Sequence, residues 1–160
     1  MLRKQIVPKQ SSAPVFLEGE ISIPDVATVQ VTSEDAEHPI DNAFDHSRGP
    51  GGSRWIAVGP GEQTVTLLFD SPQTIRKIGV EIEELAVSRT QELSLAVSSD
   101  GGRTYRELVR QEFNFSPPGT SFERELWSAS AAGVTHLRLE IKPDKGGRAG
   151  RATLTSLALA

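Results

Sequence analysis

Nearly every segment of this chain alternates apolar and polar side chains with a period of two, a pattern that suits a β-strand and no helix. In TVTLLF (64–69), KIGVEIEEL (77–85), ELSLAVSS (92–99) and THLRLEIKP (135–143) alternate positions are apolar, so each reads as a half-buried antiparallel strand. ATLTSLALA (152–160) ends the sequence in the same style, and YRELVRQEFNF and SFERELW supply further strands on either side of SPPG. Between the strands stand the Gly and Pro clusters RGPGGS, GPGE, DSPQ, SDGG, SPPG and PDKGGRAG. Such close punctuation predicts an all-β sandwich. SEDAEHPIDNAF (33–44) carries at most a helical turn before Pro39, and no internal repeat is visible.

With 160 residues the chain has room for one domain with a sizeable core. Residues 1–14 are expected to form a mobile tail and 15–160 the sandwich. The absence of cysteine excludes disulfides, thiolate zinc sites and a cysteine nucleophile. A net charge of -4 implies no nucleic-acid partner. No stretch is long enough to span a bilayer. The basic opening MLRK is not followed by the apolar core of a signal peptide, because Pro8-Lys9 interrupts Ile6-Val7. As written, the sequence reads as cytoplasmic, and as extracellular if it is a fragment of a secreted protein.

SSDGGRTY (98–105) matches the Asp-box pattern found in sialidases and other β-propellers. A propeller needs several similar blades, and only one such stretch is present. Read physically, Asp100-Gly101-Gly102 makes a tight turn: Asp supplies acceptors for nearby amides and Gly supplies positive φ. The stretch is therefore expected to be structural.

Several marks in a fixed order resemble the discoidin, or coagulation-factor C-type, domains, which overlap the galactose-binding-like carbohydrate-binding modules. These are Thr32-Ser33, NAFD (42–45), Arg54-Trp55, the strand–turn–strand VTLLFDSPQTIRKIGVEI, LAVSSDGGRTYREL and HLRLEIKP. The resemblance covers about residues 26–160. It implies a single jelly-roll sandwich of about eight antiparallel strands with no catalytic machinery. It also implies Trp55 in the core and a structural calcium near Asp45, assisted by an acidic residue in the last strand. Two departures stand out: His46 replaces the glycine that follows the aspartate, and the comparable last-strand position is near Ser156.

If the strands alternate in direction, the loops around 32–54, 85–90, 114–121 and 143–151 emerge at one end, opposite DSPQ, SDGG and SAAG. That end is rich in cations, and arginine suits carboxylates, phosphates and sugar hydroxyls. The expected ligand site comprises His46, Arg48, Arg54, Arg89, Lys145 and Arg148, with Phe115 reaching the loop end. Anionic glycans are preferred over neutral galactose because the loops are poor in aromatic residues. The leading reading is a non-catalytic carbohydrate-binding module, and the alternative is a protein-interaction domain on the same fold. A third reading is a metal-dependent hydrolase built on His38, Asp41, Asp45 and His46. Their spacing fits no zinc motif, and no Ser elbow or phosphate loop is present.

Overall fold

The computed structural model describes residues 3–5, 17–148 and 150–160. Of the segment read as a tail, only residues 3–5 fall among these. The described elements are α1 (Ile23–Val26), β1 (Ala27–Val31), a 3-10 turn (Ile40–Ala43), β2 (Trp55–Pro60), β3 (Gln63–Glu83), β4 (Arg89–Ser98), β5 (Arg106–Phe115), β6 (Phe122–Lys142), β7 (Arg151–Leu154) and β8 (Ser156–Leu159). The helical turn expected before Pro39 lies just after it, with Pro39 as its N-cap, because proline disfavours a helical residue before it. None of the described helices is long and apolar enough to cross a membrane.

The eight strands are antiparallel, as the alternation requires. The larger sheet runs β1-β3-β6-β4-β5 with β8 also on β3, and β2 pairs with β7. The backbone of the fold is the long ribbon made by β3 and β6. One half of it pairs residues 63–68 with 136–141 and the other pairs 77–83 with 122–128. Their outer partners differ: β1 flanks the first half of β3 and β8 the second. DSPQ and SAAG, expected as turns between separate strands, are instead irregular stretches within these two strands. The register slips between Leu68 and Lys77. A bulge bends a strand without reversing it, and Pro72 is tolerated there because no ladder donor is needed. Gly133 answers it on β6 with φ 64°.

Both halves of the ribbon face one core. Val65, Leu67, Ile78, Val80 and Ile82 of β3 pack with Leu137, Leu139 and Ile141 of β6, Leu93 and Leu95 of β4, and Trp55. Gln91, fully buried on β4, bonds across to β7: its side-chain amide donates to Thr153 O at 3.0 Å, and its oxygen accepts from Thr153 N at 3.2 Å. A buried amide paired in both directions has no unmet polar group, so it costs little to keep inside.

Candidate functional site

Trp55 is the anchor from which the loop end is built. Its side chain is fully buried, and Nε1 donates to Ser33 O at 2.9 Å. On either side, Asn42 Nδ2 donates to Arg54 O at 2.9 Å and Ile56 N to His38 O at 3.2 Å. The long loop before β2 is thus tied to the start of that strand. Arg54 inherits a fixed backbone position next to the core.

Glu81 and Glu83 follow at alternate positions at the end of β3, and both are buried. Loop 45–53 lies over them. Gly49 N–H donates to Glu81 at 2.8 Å and Gly51 N–H to Glu83 at 2.9 Å. These two glycines have φ of 86° and 81°, which a residue with a Cβ adopts only under strain. Arg124 pairs with Glu81 at 3.0 Å and Arg54 with Glu83 at 3.3 Å.

Two open lobes meet at the Arg54–Glu83 pair. The first, about 250 Å³, is lined by Arg54, Ile56, Glu83, Glu84, Ala86, Val87, Arg89, Gly150, Arg151 and Thr153. The second, about 350 Å³, is lined by Glu37, His38, Asn42, Gly51, Gly52, Ser53 and Leu85 together with the same Arg54 and Glu83. Phe, Tyr and Trp are absent from both linings. Arg89 is held firmly: Nε lies 2.8 Å from Glu84 and Nη1 donates to Pro143 O at 2.8 Å. Burial pulls its guanidinium below the ordinary arginine value, and Glu84 opposes that pull.

The structure brings together two of the expected site residues, Arg54 and Arg89. Arg48 is a correction: its side chain is 5% exposed, pairs with Glu20, and donates from Nε to Ser156 Oγ at 3.3 Å. His46 stands nearby, with Nδ1 3.9 Å from Glu20 and an unusual positive φ of 61°, and does not line the cleft. Phe115 is a second correction: it is buried in the core, because it shares the inward face of β5 with Phe113. Lys145 pairs with Glu112 of β5, and Arg148 Nε lies 2.8 Å from Asp144. Neither reaches the cleft. Glu83, Glu84, Ile56 and Val87 were missed. The Glu81–Glu83 alternation was visible in sequence, but nothing there showed that a loop covers it.

The implied calcium does not suit the donor set. Asp45 Oδ1 accepts from Ser47 N at 2.9 Å and Oδ2 from Ser53 Oγ, so both oxygens serve the loop itself. Calcium needs several oxygen ligands, whereas Ser156 offers a neutral hydroxyl bonded to the Arg48 guanidinium. Among the described residues no group of three or more His, Asp or Glu side chains converges on a point. His38 is bonded to Asp35 at 2.8 Å, and that bond holds the Asp35 carboxyl below its usual range.

At the opposite end, Asp100 organises the SSDGGRTY turn. It accepts from Arg103 N at 3.1 Å, from Thr104 N at 3.0 Å and from Thr104 Oγ1 at 2.6 Å. Ser98 Oγ adds a bond to Asp100 at 2.7 Å. Arg138 lies 3.9 Å above the Tyr105 ring.

No family model matches this sequence, and no curated protein matches it. Solved structures do. The family 32 carbohydrate-binding module of Clostridium perfringens NanJ, in complex with galactose, aligns at 12% identity and a TM-score of 0.60, over 88% of this chain and 96% of that one. The fifth such module of the C. perfringens family 89 glycoside hydrolase, in complex with GalNAc-β-1,3-galactose, aligns at 20% identity and 0.59, over 88% and 99%. The AlyQ module with 4,5-unsaturated mannuronic acid aligns at 18% and 0.56, over 85% and 95%. At these identities the likeness concerns the fold alone: the chain adopts the antiparallel β-sandwich of these modules.

Proposed function

We propose that this domain binds carbohydrate without transforming it, in the cleft at the loop end. One observation carries the reading: on a fold whose solved relatives hold sugars, the loop end presents donors and acceptors side by side above an aliphatic wall. Arg54 and Arg89 donate, Glu83 and Glu84 accept, and Ile56, Ala86 and Val87 offer apolar surface. Vicinal hydroxyls need this mixture of donors and acceptors, and the C–H face of a pyranose packs on aliphatic carbon.

The pairing of charges shifts the expected ligand from an anionic to a neutral sugar. Each cleft arginine already faces a carboxylate, at 3.3 Å for Arg54, 2.8 Å for Arg89 and 3.8 Å for Arg151. An incoming carboxylate would meet Glu83 and Glu84 as well, and like charges in a shared site repel.

Amide NMR spectra recorded during titration with neutral and acidic oligosaccharides test the reading. Shifts confined to residues near 51–56, 83–89 and 150–153 are expected. Shifts centred on Asp100–Tyr105, or none with any glycan, would overturn it. Arg54→Ala should weaken binding by about 1.5–3 kcal/mol where its bond to the sugar is desolvated.

A second reading, a protein partner held by the same loops, has one observation in its favour. Leu85 and Val87 are 57% and 46% exposed at the rim of the cleft. Leu85→Ser, which leaves the Ile56–Ala86–Val87 wall intact, should disrupt a protein complex and spare most sugar affinity.

A further inference from the structure

The two lobes share a wall. That wall is a single ion pair, Arg54 with Glu83, which lines both. Glu83 is held on its own side: Oε2 accepts from Gly51 N at 2.9 Å, which leaves Oε1 for Arg54. Arg54 is held much less. Its one contact is Nη1 to Oε1 at 3.3 Å, and among the described residues its guanidinium has no other hydrogen-bond partner. With Trp55 fixing the backbone beside it, a planar fork with most of its donors unused stands between two openings.

Each lobe mixes apolar and polar groups. The first has the aliphatic wall of Ile56, Ala86 and Val87 beside Glu84 and Thr153. The second has Leu85 beside His38, Asn42 and Ser53. Each therefore offers one sugar unit both a surface and polar groups.

We infer that the cleft takes a saccharide chain of at least two units lying across Arg54, with one unit in each lobe, rather than a single terminal sugar. This rests on the carbohydrate reading above. Arg54 would then donate to oxygens on both sides of the glycosidic linkage and act as the register point of the chain. Joining two weak subsites on one ligand makes the second binding event intramolecular, so affinity should rise steeply between one unit and two and then level off.

The probes are galactose and β-linked galacto-oligosaccharides of two to four units, with oligogalacturonides of the same lengths as an acidic series. Calorimetric titration should show at least about a tenfold gain from monosaccharide to disaccharide. Two exposed lining positions allow each lobe to be filled separately: Ala86→Trp blocks the first and Glu37→Trp the second. Each should bring the trisaccharide down to monosaccharide affinity, with the melting temperature confirming that the variant is folded. Binding independent of length, or sensitive to only one of the two variants, would overturn the two-lobe inference and leave the carbohydrate reading standing. Failure of every saccharide in both series to bind would overturn both.

Discussion

A single indole ties the interior to the loop end. Trp55 is fully buried, and its one polar atom is bonded to Ser33. Trp55→Ala should lower stability by about 3–5 kcal/mol, read from a urea unfolding midpoint. A well-folded variant that has lost only ligand binding would reassign Trp55 to the ligand. Asp100 makes a different kind of contribution. Its bond with the Thr104 hydroxyl, reinforced by the Thr104 amide and Ser98, holds its carboxyl far below the ordinary range. Because the folded-state value is depressed, the stabilisation is present above the unfolded value of 3.8 and is lost as pH falls below it. Unfolding midpoints should therefore separate wild type from Asp100→Asn at pH 7 and draw together in stronger acid. Gly102 in the same turn has φ 87°, and a Cβ there would meet the His136 ring at 3.3 Å. Gly102→Val should cost about 1–3 kcal/mol while leaving the distant cleft intact.

Among the elements, loop 45–53 shows why part of the site was invisible in sequence. Glu81 and Glu83 alternate with Val80 and Ile82, which reads as an ordinary solvent face. The loop turns that face inward by spending its backbone N–H groups on the two carboxylates. Arg48 and Glu20 close the same loop, although they stand 28 positions apart in sequence. No local pattern announces such a pair. Arg48→Met leaves Glu20 without this cation in a mostly buried place, and losing one member of a buried pair typically costs about 3–5 kcal/mol. Because a guanidinium occupies the place beside Ser156, adding calcium or a chelator should leave the melting temperature of the wild type unchanged. A rise with calcium would show that the loop recruits a metal despite its donor set.

For the whole molecule, the strand content was legible because alternation depends only on which faces are wet. Trp55 was read as core from the family resemblance rather than from alternation, and it is fully buried. The continuity of β3 and β6 was not. A bulge and a turn draw on the same Gly and Pro chemistry, so DSPQ reads as a reversal until the pairing on both sides of it is seen. The cations were legible as residues but not as partners, since their carboxylates come from distant strands and loops. The unbroken β3–β6 ribbon also bears on how the domain comes apart. Both of its halves pack into one core, so neither half can melt while the other keeps its shape. Unfolding should be all-or-none, with equal calorimetric and van't Hoff enthalpies.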